Sequence, residues 1–158
     1  MNGTTWNAME PKRWKVFLDT SALIAGIVSP TGAAREVLRL CETGVVELLV
    51  SRQVLTEADR NLSAKLPALV PDYRHLMHRM SPTLVEDPTH REVAQARRVI
   101  HHKDAPILAV AISAEVDCLI TRNTKHFHKP PVMRAVRFRI VTPGEFLEEF
   151  RGWLSSKA

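Results

Sequence analysis

Three carboxylates separated by long stretches of chain, Asp19, Glu57 and Asp104, are the residues whose types and settings best suit chemistry. Asp19 closes the apolar run Val16-Phe17-Leu18 and opens Thr20-Ser21-Ala22. Glu57 lies in a stretch of helical pattern that begins at Ser51. Asp104 leads an almost wholly apolar segment, Ala105-Pro106-Ile107-Leu108-Ala109-Val110-Ala111. Carboxylates brought together repel one another unless a cation sits among them, and hard divalent ions favour oxygen ligands. The pattern therefore asks for a metal. Taken singly, each acid also has a plainer role open to it. Asp104 suits a helix cap, Asp19 a turn hydrogen bond and Glu57 a solvated helix flank.

The elements that must position these acids alternate between strand and helix. A short buried strand over Lys15 to Leu18 ends at Asp19. Thr31 or Gly32 starts a helix with Val37, Leu38 and Cys41 on one face, and Gly44 ends it. Val45 to Val50 is a continuous apolar strand of the kind covered on both faces. Ser51 caps the next helix and Pro67 terminates it. A helix from Pro71, a brief edge strand over Thr83 to Glu86 and a helix over Thr89 to Ile100 follow. The spacing predicts a buried helix over Asp104 to Val116, then strands over Cys118 to Thr121 and Phe138 to Val141. Thr142-Pro143-Gly144-Glu145 is a capping box that opens the last helix. Such alternation implies an α/β three-layer sandwich, with a central, mainly parallel sheet of four to five strands flanked by helices.

Ligands bind beyond the carboxyl ends of strands in such a sheet. Asp19 and Asn123 each follow a strand, so both belong to that rim. Asp104 begins a helix that starts there, and Glu57 can lean over it from its own helix. Asp117 precedes its strand and falls at the opposite end, where it reads as a structural turn residue.

Composition narrows the class. A chain of 158 residues, 45% hydrophobic and 25% charged, suits one globular domain with a sizeable core. The expected division is a loose tail over residues 1–13, a single domain over 14–154 and a short tail over 155–158. Lys and Arg outnumber Asp and Glu by 22 to 17, giving a net charge of +5, which mildly favours a polyanionic partner such as nucleic acid. Cys41 and Cys118 lack C-x-x-C spacing and read as reduced core residues of a cytoplasmic protein. No apolar run approaches the ~20 residues of a membrane span. A dinucleotide enzyme is disfavoured because no G-x-G-x-x-G follows the first strand. A haloacid dehalogenase type of phosphatase wants an aspartate where Ser21 stands.

The segments Phe17-Leu18-Asp19-Thr20-Ser21-Ala22-Leu23, Leu55-Thr56-Glu57, Lys103-Asp104-Ala105-Pro106-Ile107-Leu108-Ala109-Val110-Ala111 and Leu119-Ile120-Thr121-Arg122-Asn123 together resemble the PIN domain. The likeness runs from about Lys15 to Phe150, and the ending Ile140 to Leu147 is similar to VapC-like toxins of toxin–antitoxin pairs. The resemblance implies an endoribonuclease that uses Mg2+ or Mn2+, with Asp19, Glu57 and Asp104 as its catalytic, metal-binding acids. It implies a small antitoxin protein and a homodimer as partners, and products with a 5′-phosphate and a 3′-hydroxyl. One departure stands out: many members carry a fourth acid where this chain has Asn123, an uncharged oxygen ligand. An RNA- or protein-binding module with a weakened or inactive site is the alternative this departure raises.

Other residues near the rim have supporting roles in this reading. Thr20, Ser21 and Thr121 offer hydroxyls to orient a carboxylate or a bound water. Arg122, Lys125 and Lys103 are candidates for steering RNA phosphates. His101-His102 and His126-Phe127-His128 flank Asp104 and Asn123 in sequence. A histidine pair could serve a metal-free ribonuclease as general acid and base, although solvated rings or phosphate contacts are the plainer roles.

Overall fold

Short runs rich in Val, Leu and Ile, buried on both sides, form the strands. The computed structural model describes residues 13–157, and the tail expected over residues 1–13 lies outside them apart from Arg13. Strands β1 (Trp14–Leu18), β2 (Val46–Val50), β3 (Thr83–Leu84), β4 (Cys118–Ile120) and β5 (Arg139–Val141) pair in the order β3-β2-β1-β4-β5. Every one of these pairings is parallel. The expected sheet is thus five-stranded, and the central β1 carries Val16, Phe17 and Leu18 with no exposure at all.

Parallel neighbours need crossover connections, and helices supply them. Helices α1 (Thr20–Val28) and α2 (Ala33–Glu42) join β1 to β2. Helices α3 (Arg52–Lys65) and α4 (Val70–Met80) join β2 to β3, and α5 (His90–Ala96) and α6 (Ala105–Ser113) lead from β3 to β4. Two short helices, α7 (Thr124–Phe127) and α8 (Pro130–Ala135), lead to β5, and α9 (Pro143–Lys157) follows it. After β3 the chain therefore returns from one edge of the sheet to the far side of β1.

Local signals set most helix ends. The Ser51 hydroxyl accepts from the Val54 N–H at 3.2 Å, and α3 stops just before Leu66 and Pro67. Thr89 and Glu92 form a reciprocal capping box at α5. Thr142 and Glu145 do the same before α9, and these bonds hold the exposed Glu145 carboxyl below its ordinary pKa. Gly44, at φ +83°, turns the chain out of α2 toward β2. The helix expected over Thr89 to Ile100 gives way after Ala96 to tight turns, in which Val99 and Ile100 both donate to the Ala96 carbonyl. Ile100 is thereby turned into the core. The helix expected over Asp104 to Val116 is shorter, Ala105–Ser113, while α9 continues past Leu154 to Lys157. Cys41 and Cys118 are both buried and free, and burial pushes the Cys41 thiol up to about 12.

Helix α1 packs closely on α2 because Gly26 has no side chain. A Cβ there would meet Leu38 Cδ1 at 2.5 Å and the Ala34 carbonyl oxygen at 3.2 Å. Alanine gains about 1 kcal/mol of helix propensity over glycine, whereas overpacking a filled core costs about 1–3 kcal/mol. The Ala34 carbonyl is backbone and yields less readily than a side chain. Gly26→Ala is therefore expected to lower the unfolding free energy in a urea titration by about 1 kcal/mol. A variant as stable as the parent would mean that the two helices are not held this close.

Candidate functional site

β1 and β4 lie side by side, yet the chain leaves them toward opposite halves of the sheet. The crevice beyond their carboxyl ends is the topological switch point, where open α/β sheets bind ligands. Leu18 pairs with Ile120, so Asp19 comes level with Thr121 one residue further on. The Asp19 N–H continues the ladder by donating to the Ile120 carbonyl at 3.1 Å.

Asp19 is only 6% exposed, and its carboxylate is fully engaged. Oδ1 accepts from the Ser21 hydroxyl at 2.7 Å and from the Ala22 N–H at 3.0 Å, and Oδ2 accepts from the Thr121 hydroxyl. The Ala22 bond makes Asp19 the N-cap of α1. Burial pushes its pKa up; the bonds from Thr121, Ala22 and Ser21 pull it down, and the charge of Asp104 pushes it up further. Asp19 and Asp104 thus lie within electrostatic reach across the crevice.

Asp104 occupies the N-cap position of α6, but its side chain makes no capping bond. Its Oδ2 instead lies 2.8 Å from Nδ1 of His126, carried on α7. The same Nδ1 lies 3.2 Å from Nδ2 of Asn123. A ring nitrogen cannot donate to a carboxylate and accept from an amide N–H at once. The pairing with Asp104 places the proton on Nδ1, so the Asn123 amide is better turned over, its oxygen facing the ring. Asn123 is held in place by its own N–H, which donates to the Thr121 hydroxyl oxygen at 2.8 Å.

Glu57 reaches the rim from the side. Its Oε1 accepts from the Thr20 hydroxyl at 3.0 Å, half-buried beside a cleft of about 870 Å³ that Ser21, Asn61, Lys65 and Arg122 also line. All three hydroxyls singled out in the sequence, on Thr20, Ser21 and Thr121, therefore donate to acids. The exposed Arg122 donates its N–H to Ser21 Oγ at 3.2 Å, and Lys103 and Lys125 are exposed on the Asp104 and Asn123 loops. Asp117 sits at the other end of the sheet, where its carboxylate accepts from the Lys15 N–H. His126 as the partner of Asp104 was not visible in the sequence, because nothing in a separation of 22 residues signals a contact. His128, its neighbour in the same cluster, turns instead to the Ile140 carbonyl.

A family model described as PIN domain matches residues 15–125. The chain belongs to the PIN-domain family. No curated protein matches this PIN-domain chain significantly. Among solved structures, the fold is shared with PAE2754 from Pyrobaculum aerophilum at 21% identity and a TM-score of 0.57, over 85% of this chain and 94% of that one. It is shared with DNA-bound VapBC from Salmonella typhimurium at 19% identity and a TM-score of 0.62, over 82% and 98%. FitAcB from Neisseria gonorrhoeae matches at 17% identity and a TM-score of 0.56, over 81% and 97%. Among the described residues no helix is long and apolar enough to cross a membrane.

The PIN fold implies a divalent ion, and the donors at this rim fit one only in part. Among the described residues no three of His, Cys, Asp or Glu stand close enough to hold a single ion. Asp19 and Asp104 offer hard oxygen donors, which suit Mg2+ or Mn2+ keeping most of its water. Glu57 is tied off separately by Thr20.

The buried charge of Asp19 has a consequence for stability. Its folded pKa lies above the ordinary value of 3.8, so the folded state binds more protons between that value and the raised one. Stability falls as pH rises through this window, because ionising the buried carboxyl group opposes folding. Asparagine caps a helix as well as aspartate and carries no charge. With a chelator present, Asp19→Asn is expected to be more stable than the parent at neutral pH, with the difference vanishing below about pH 4. Denaturant titrations across pH check this, and an unchanged pH profile in the variant would sink it.

Proposed function

We propose that this PIN-domain chain is an RNA- and partner-binding protein of the toxin–antitoxin type, with weak metal-dependent phosphodiester cleavage at the Asp19–Asp104 rim. The observation that carries this reading is that each acid is tied to its own partner. Asp19 accepts three hydrogen bonds, Glu57 bonds to Thr20, and Asp104 is paired with His126. Asn123 adds no charge where many relatives place a fourth acid. An ion entering this rim has to compete with those partners, so its affinity and the turnover it supports are low. Exposed Arg122, Lys103 and Lys125 provide the phosphate contacts, and the net charge of +5 steers RNA toward them. The likeness to VapBC and FitAcB supports a small antitoxin as protein partner and a homodimer as the assembled form.

A second reading is a fully active Mg2+- or Mn2+-dependent endoribonuclease, favoured by the mutual repulsion of Asp19 and Asp104, which a cation relieves. In that reading Asp19 and Asp104 hold the ion, Glu57 completes the acidic rim, and Ser21, Thr20 and Thr121 fix the carboxylates. Such an ion would supply an activated water and steady the charge on the leaving oxygen.

Cleavage of a mixed RNA pool in manganese, and with EDTA, separates the two. The first reading expects RNA to bind but to be cut slowly by the parent. Asp104→Asn is expected to abolish the cutting, and Asn123→Asp to raise it about tenfold, because outer ligands tune metal sites by about that factor. Fast metal-dependent cutting by the parent, lost in Asp104→Asn, would establish the second reading. Cutting that survives EDTA would move the chemistry to the histidines, and no RNA binding at all would overturn both.

A further inference from the structure

His101, His102 and His126 form a ladder of rings beside the acidic rim. The centroids of His101 and His102 lie 4.2 Å apart at 35°, and His101 and His126 lie 6.4 Å apart at 27°. His101 and His102 are exposed, and His126 is 44% exposed. Two of the rings are fixed through their own nitrogens. His101 Nδ1 accepts from the Lys103 N–H at 3.2 Å, and His126 Nδ1 is held by Asp104 at 2.8 Å. One nitrogen of each ring is thereby engaged, which helps to set the orientation of its plane. The ladder is not arranged for coordination, since among the described residues no three metal-ligating side chains converge on one point.

We propose that this ladder is a stacking site for an unpaired nucleobase of single-stranded RNA, beside the carboxylate rim. The inference rests on the RNA-binding reading above and names the substrate class for it. Proteins that bind single strands combine cationic groups along the backbone with aromatic faces that take the bases. Both halves are here: Lys103 follows His102 in the same exposed turn, and Lys125 precedes His126. A duplex buries its bases in its own stack and offers no free face to such rings. Because His126 touches Asp104, a base on the ladder sets which phosphate lies over Asp19 and Asp104.

Fluorescence anisotropy with a short labelled single-stranded RNA tests this, in EDTA so that the strand stays whole. The His101→Ala/His102→Ala double variant is expected to bind about tenfold more weakly than the parent. His101→Phe/His102→Phe is expected to keep parental affinity, since stacking needs only a ring face. An abasic strand of the same length should bind the parent as weakly as the intact strand binds the alanine variant, a comparison that needs no variant to fold. Undiminished binding by the alanine variant, or equal loss in the phenylalanine variant, overturns the stacking site and leaves RNA binding standing. A parent protein that binds no RNA overturns both together.

Discussion

A carboxyl group buried where two parallel strands end is expensive to ionise, and much of the site is organised around Asp19. Moving such a charge out of water is tolerated only if hydrogen bonds replace its hydration. Asp19 receives a backbone N–H from α1, a hydroxyl from Ser21 two residues on, and a hydroxyl from Thr121 across the sheet. Each donor depends on a different element. The Ala22 N–H exists only because α1 starts at Thr20, and the Thr121 hydroxyl arrives only because β4 pairs with β1 in the register Leu18 to Ile120. The crevice is therefore a product of the sheet order, since a β4 placed anywhere else would leave Asp19 one donor short.

The same geometry makes the rim costly to the fold. Burial outweighs the donors, so the Asp19 carboxylate remains less comfortable folded than unfolded, and Asp104 adds to the strain. Residual discomfort of this kind is common at sites that await a charged ligand. The surrounding core carries the load, with Phe17, Leu18, Leu23, Leu119 and Ile120 fully buried around the strand ends. Those side chains also keep the rim rigid. A carboxylate tethered by three donors at the end of a wholly buried strand has little freedom to relax its charge by moving into solvent.

The frame of the fold was legible in the sequence, because strands, caps and breakers are local signals. The Val-Phe-Leu run before Asp19, Ser51 ahead of its helix, Pro67 beyond it and the Thr142-to-Glu145 box each act over a few residues. Helix α1 carries no such signal, because Leu23, Ile24, Ala25, Gly26, Ile27 and Val28 are apolar throughout and offer no 3.6-residue alternation to separate helix from strand. The four-residue α7 and six-residue α8 are too short to carry a period at all. At the site, the rim positions of Asp19 and Asn123 followed from strand ends. The partner of Asp104 did not, because His126 reaches it through the turn of α7, and no local pattern encodes such a tertiary contact.

His126 and Asn123 together change the electrostatics of the rim. An acid at position 123 would set another negative charge beside Asp104, and the rim would then depend on a cation to offset the repulsion. An amide at that position removes the charge, and, turned as the pairing of His126 with Asp104 requires, it would face its oxygen to the same Nδ1–H. The histidine thus supplies from the protein part of what a metal would supply, a hydrogen-bond donor that takes charge density from Asp104. An ion at Asp104 would have to break or share that bond, whereas the proposed RNA contacts of the exposed rings and lysines would leave it intact. The exposed rings and lysines and the paired carboxylate Asp104 thus use different atoms, although His126 joins the two. In the proposed reading, that separation lets a nucleic-acid surface persist beside carboxylates that the protein itself already partners.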